Sequence, residues 1–167
     1  DGGKIAWQKD LKAEYKTKPA LWGYAAHPTI DGKKLITIAG GEGSHVVALD
    51  KDTGKELWKA GSQTEPGYSP VLITEAGGKR QMIVAGTKQI YSLNPETGEQ
   101  YWITPFAVDN GCIVMTPVRF GEHLFVGGYN AKSTVMKLNA DKPGVTVEWV
   151  NKRDHGVSPI NVQPFVQ

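Results

Sequence analysis

The chain has 167 residues, 40% of them apolar and 22% charged, which suffices for one folded core and falls short of two. Its net charge of +2, with acids and bases interleaved, makes no concentrated field for phosphate backbones or anionic lipid, so nucleic-acid binding finds no support. Glycine at 20 residues, proline at 10 and 9% aromatics favour many short strands joined by tight turns, and no apolar run is long enough to insert through a bilayer as a helix.

In chain order, residues 1–10 open with Gly3 four positions ahead of Trp7, a spacing that recurs below. Lysines 4, 9, 12, 16 and 18 are interrupted by Asp10 and Glu14 and read as solvated surface. After Trp22, Tyr24 and the His27-Pro28 pair come apolar runs of strand length at 35–39 and 46–49. The glycine-rich stretch 40–43 between them lacks the Lys-Ser/Thr of a phosphate loop and opens no helix, so it reads as a hairpin. The turn Asp50-Lys-Asp-Thr-Gly54 then leads to Trp58.

The next stretch repeats this order: Ser69-Pro70, apolar runs at 82–85 and 90–93, then Asn94-Pro-Glu-Thr-Gly98 leading to Trp102. A third copy has Thr116-Pro117, runs at 124–126 and 135–138, and a looser turn from Asn139 to Trp149 with Gly144 five positions before the tryptophan. Ser158-Pro159 opens another strand that reaches Val166.

Trp7, Trp58, Trp102 and Trp149 are 51, 44 and 47 residues apart, and the X-Pro pairs keep phase with them at 42, 47 and 42. That period fits four-stranded propeller blades. Each unit offers a strand after the proline, two inner strands apolar on both faces and a last strand carrying the tryptophan. The predicted class is all-β, a β-propeller segment of about three four-stranded antiparallel blades in a single partial domain over 1–167. Residues 1–10 are expected to be the last strand of a preceding blade, 24–60, 67–104 and 113–151 the three blades, and 156–167 the first strand of a following one. Such an arc leaves blade faces open, so it is expected either to be cut from a longer chain or to close by self-association.

Ala48-Leu-Asp-Lys-Asp-Thr-Gly-Lys-Glu-Leu-Trp58 resembles the docking motif Ala-x-Asp-x-x-Thr-Gly-Lys-x-x-Trp of the PQQ-like propeller repeat at every fixed position. The copy ending at Trp102 departs at Ser92, Asn94 and Glu99, and the copy ending at Trp149 lacks the Thr-Gly pair. The resemblance covers nearly the whole chain. The superfamily includes quinoprotein dehydrogenases and a non-catalytic propeller lipoprotein of bacterial outer-membrane assembly, and the segment also resembles PQQ-like propellers of planctomycete-type bacteria. A bacterial protein in the periplasmic or extracellular space is thereby implied, whereas fold alone leaves function open.

The resemblance implies that ligands sit where the last strand of one blade crosses to the first strand of the next. Those connections carry Trp22, Tyr24 and His27; Glu65 and Tyr68; Asp109, Asn110 and Cys112; and Arg153, Asp154 and His155. One reading gives Glu65, Asn110 and Asp154 to a Ca²⁺ and its PQQ, with Trp22 stacked on the flat ring. The other has these loops polar because they meet water, with Trp22 and Tyr24 packed beneath them. No catalytic residue and no metal centre is assigned: the four histidines fall in separate units, and Cys112 reads as a buried, inert thiol without the adjacent cysteine that quinoprotein alcohol dehydrogenases show over their cofactor. The expected function is a non-catalytic interaction or ligand-binding scaffold with no cofactor, its partner a protein or a second copy. The alternative is a fragment of a PQQ-dependent dehydrogenase oxidising alcohols or sugars.

Overall fold

The computed structural model describes residues 2–130 and 132–151. The strand expected at 156–167, and Arg153, Asp154 and His155 on the connection before it, lie outside the described residues. Among the described residues, twelve strands form three separate four-stranded antiparallel sheets, each a meander in chain order. The first blade holds β1 (Thr29–Asp31), β2 (Lys34–Ile38), β3 (Val46–Asp50) and β4 (Glu56–Ala60). The second holds β5 (Leu72–Ala76), β6 (Lys79–Ala85), β7 (Gln89–Leu93) and β8 (Gln100–Pro105), and the third β9 (Val118–Phe120), β10 (His123–Gly128), β11 (Lys132–Leu138) and β12 (Val145–Val150).

The inner strands explain the apolar runs. In β3, Val46, Val47, Ala48 and Leu49 are all buried, because the second blade covers one face and Trp7, Leu11 and Tyr15 cover the other. The last strand of each blade is irregular at one repeated point. Pairing moves from Leu49–Glu56 to Ala48–Trp58, from Leu93–Gln100 to Ser92–Trp102, and from Met136–Val147 to Val135–Trp149. One residue is therefore extra each time: Leu57, Tyr101 and Glu148. Side chains alternate between faces, so this bulge brings the tryptophan, rather than the residue before it, opposite the third strand.

Trp58 thereby completes a row across the first blade with Thr29, Ile36 and Ala48, and Trp102 completes one across the second with Leu72, Ile83 and Ser92. The first row packs into one core with Met82, Val84, Tyr91 and Leu93 of the second blade. The second packs with Leu124, Val126, Met136 and Leu138 of the third. The core thus lies between blades, not within one.

The Thr-Gly turn receives the tryptophan of the blade before it. Asp50 Oδ1 accepts from Thr53 N and Thr53 Oγ1, each at 2.8 Å, which fixes the turn and holds this carboxyl below the usual carboxylate range. Gly54 then adopts φ +73°, and a Cβ there would lie 2.6 Å from Cε3 of Trp7. Gly98 repeats the arrangement at φ +76°, with the added Cβ 2.8 Å from Cε3 of Trp58. The third boundary differs. Gly144 lies against the side chain of Asn139, and Trp102 Nε1 donates to Gln81 Oε1 of its own sheet at 2.7 Å. Ser92 Oγ donates to the same oxygen at 2.9 Å, so the serine that departs from the motif serves this buried amide.

Residues 1–10, expected as a fourth strand, make no strand pairing among the described residues, since no third strand stands beside them. Trp7 nevertheless keeps its place, its Nε1 donating to Lys51 O at 3.0 Å. The chain then enters a short helix, α1 (Leu11–Tyr15), capped by Asp10 and closed by Lys16 at φ +52°. Trp7, Leu11 and Tyr15 cover Ala39, Val47 and Leu49 on the outer face of the first blade.

A turn glycine pressed under an indole makes a coupled pair. Gly98→Ala should cost about 2–4 kcal/mol, from left-handed strain and the clash with Trp58. In a Trp58→Ala background, which itself should lose about 2–4 kcal/mol for a half-buried ring, the alanine should cost only about 1–2. Urea melts of the four proteins in the double-mutant cycle measure this coupling; additive losses would mean that the glycine and the ring do not meet.

Candidate functional site

The connections at 16–28, 61–71 and 106–117 cross one face of the arc and are tied to one another at successive blade boundaries. Tyr68 N donates to Ile113 O at 2.9 Å, Ser69 Oγ donates to Met115 O at 2.7 Å, and the Trp22 backbone N donates to Tyr68 Oη at 3.2 Å. Gln63 is buried and its Oε1 accepts from Thr87 Oγ1 at 2.9 Å and Lys88 N at 3.2 Å.

His45, at the head of β3, is a titratable group enclosed at this face. It is fully buried between Tyr91 of the second blade and Pro66 of the connection at 61–71. Its Nε2 lies 2.9 Å from Pro66 O, which can only accept, so Nε2 carries the proton and Nδ1 accepts from the Tyr91 hydroxyl. Burial pushes the imidazole down to about 4 and raises the Tyr91 phenol well above its ordinary value. Both groups are neutral at pH 7 and act as a cross-blade tie. Sequence spacing passes over this residue because its partners are 21 and 46 positions away; the available signal is that His45 immediately precedes an apolar run expected to be buried on both faces.

Glu65 and Asn110 come together. Both line a cavity of about 410 Å³ with Thr64, Thr87, Lys88 and Gly111. Asn110 takes φ +55°, and Glu65 lies against Gly111, which has no Cβ to obstruct it. Cys112 is buried beside them, its thiol raised first by burial and then by the Glu65 carboxylate, which makes it a poor nucleophile. Trp22 does not line this cavity. Its ring is 64% exposed and leans on Tyr68, centroids 5.5 Å apart. Glu65 and Asn110 offer oxygen ligands, yet the described residues place no flat ring over them, so they do not by themselves make a quinone site. No group of three or more His, Cys, Asp or Glu side chains among the described residues could hold a metal ion. None of the helices among the described residues is long and apolar enough to cross a membrane.

The His45 tie predicts an acid limb in stability. The folded imidazole titrates near 4 and the unfolded one near 6.5. Above about 6.5 both are neutral and the full stability is present; as pH falls from there towards 4, only the unfolded chain gains the proton and stability drops, by on the order of 3 kcal/mol in total. Replacing His45 by Gln should lower stability at pH 7 and flatten that limb, as measured by urea midpoints from pH 7.5 to 4. An unchanged slope would place the acid sensitivity elsewhere.

Comparison with known proteins accords with this architecture. Over 76 residues the chain is 34% identical to quinoprotein ethanol dehydrogenase of Pseudomonas putida, an overlap of 38% of this chain and 12% of that protein. The structure resembles BamB from Moraxella catarrhalis with a TM-score of 0.51 and 17% identity, covering 70% of this chain and 41% of that one. It resembles quinohemoprotein alcohol dehydrogenase from Comamonas testosteroni with a TM-score of 0.60 and 17% identity, covering 88% and 23%. The chain thus spans well under half the length of each. The family model described as outer membrane protein assembly factor BamB matches residues 1–164, and with its Trp-to-turn contacts and four-stranded blades this chain belongs to that family of PQQ-like β-propellers.

Proposed function

We propose that this arc is a rigid, non-catalytic docking platform for a protein partner, part of an extracytoplasmic propeller. The observation that carries the reading is the use made of the polar side chains on the connection face. His45, Tyr91, Gln63, Thr87 and Ser69 all hold one segment to another, and Asn130 Nδ2 donates to Asp109 Oδ2 at 2.7 Å. Groups locked into cross-blade hydrogen bonds stiffen a surface and are not free to move protons. A preorganised surface loses little entropy when a partner settles on it. The likeness to an outer-membrane assembly factor points the same way.

A fragment of a quinoprotein dehydrogenase is the second reading, favoured by the 34% identical stretch and by the shared cavity of Glu65 and Asn110. In that case PQQ with Ca²⁺ is the cofactor, supplying a two-electron acceptor for an alcohol or sugar, and Glu65, Asn110 and Asp154 are the residues to hold the cation, whereas Trp22 lies outside their cavity and does not supply the stacking ring.

Titrating the chain with PQQ and CaCl₂ separates the two. The platform reading expects no change in the quinone absorbance, no rise in melting temperature and no ethanol-dependent dye reduction. A melting rise that Glu65→Gln abolishes would favour the dehydrogenase. Native-state hydrogen exchange tests rigidity directly: the amides of Gln63, Tyr68 and Tyr129, all donors across this face, should open only with global unfolding, and fast local opening would count against a stiff platform.

A further inference from the structure

The two blade boundaries are built from corresponding positions, so a difference between them can be read residue by residue. Ser92 opposes Trp102 as Val135 opposes Trp149, which makes Tyr91 of the second blade the counterpart of Thr134 in the third. At the first boundary the Tyr91 phenol is fully buried and reaches His45. It lies so close beneath Gly61 that a Cβ there would be 2.5 Å from its oxygen. At the second boundary Thr134 is shorter by a whole ring, and its Oγ1 turns to donate to Trp149 O at 2.8 Å.

The space is not refilled. A cleft of about 250 Å³ lies there between Ile90, Thr104 and Phe106 on one side and Thr134, Met136 and Val147 on the other. Its walls are mostly apolar, and a cavity of about 150 Å³ already admits a benzene ring. Two cations, Lys88 and Lys132, also line it, and neither side chain has an ion-pair partner among the described residues.

We propose that this cleft binds a small single-ring aryl carboxylate, whose ring takes the place that the Tyr91 phenol holds one blade earlier and whose carboxylate meets Lys88 and Lys132. The ring is specified by the volume that the repeat leaves vacant, and the anion by the two lysines without ion-pair partners in its lining. The site lies between the second and third blades, borders the Glu65–Asn110 cavity at Lys88 and Ala107, and does not depend on the platform reading.

The probe is 4-hydroxybenzoate, titrated into the full chain and followed by amide chemical shifts. A ligand of about ten non-hydrogen atoms should bind with Kd near 1 mM, moving the amides of Ile90, Thr134 and Met136. Phenol, without the carboxylate, should bind roughly 3–10-fold more weakly, Lys132→Gln should narrow that gap, and Lys88→Gln with Lys132→Gln should bring the two ligands to similar affinity. Thr134→Tyr should fill the cleft, raising the melting temperature by about 2–4 °C and weakening 4-hydroxybenzoate at least about 10-fold. Val147→Trp narrows the same cleft from half-exposed β12 and should also block binding, so it decides the matter if the buried tyrosine prevents folding. Undiminished binding in a folded Thr134→Tyr or Val147→Trp chain, shifts confined to other residues, or no shifts at all would overturn the proposal.

Discussion

Each blade is a sheet with two apolar faces, and covering those faces is the constraint on which everything else in this arc depends. A single such sheet would leave rows like Ile36, Ala48 and Trp58 in water on one side and Val47 and Leu49 on the other. Stacking solves both at once, provided that successive sheets meet at the same angle and height. The tryptophan on the next blade's turn sets that height. An indole can lie flat on a backbone only where no Cβ intervenes, and a turn that needs positive φ supplies glycine at that point for its own reasons. Two demands, a tight hairpin and a bare landing for a ring, are met by one residue, at Gly54 and again at Gly98.

Where the turn chemistry changes, the boundary reorganises instead of failing. The third blade has no Thr-Gly pair, and Trp102 turns its indole N–H to Gln81, which also takes the Ser92 hydroxyl and gives its own amide to Ala76 O. Every hydrogen-bonding atom of that buried amide is engaged, as burial requires. The same boundary exchanges the His45–Tyr91 tie for Thr134 and leaves a cleft. Regular repeats make a scaffold; their departures are where shape and chemistry become particular to one chain.

This division also explains what the sequence reveals. The tryptophan phase, the Asp/Asn-to-Gly turns and the doubly apolar strands are local signals, and the three sheets follow from them. The bulge before each tryptophan is not local: Leu57, Tyr101 and Glu148 share no residue type, and register is set only when the third strand is present. Lys4, Lys12, Lys16 and Lys18, read as solvated surface, are exposed, while Asp10 among them caps a helix that brings Leu11 and Tyr15 onto the first blade, which the charge pattern does not encode. At the site, Glu65 and Asn110 were named from their connections and share a cavity, while the position of Trp22 turned on Tyr68, a contact between two loops that no pattern within either loop encodes.

The arc has a direction. Its tryptophan rows all face the next blade, so its two ends are unlike. At the first blade, Trp7, Leu11 and Tyr15 occupy the outer face, and Trp7 sits on Gly54 as Trp58 sits on Gly98. At the third, the row Val118, Phe125, Val135 and Trp149 has the register of the two covered rows, but Trp149 is 42% exposed and no described residue of a further sheet lies over it. A second copy joined head to tail would have to displace the helix and Trp7 before its Trp149 could reach Gly54, giving up the Trp7–Lys51 hydrogen bond and the apolar cover together.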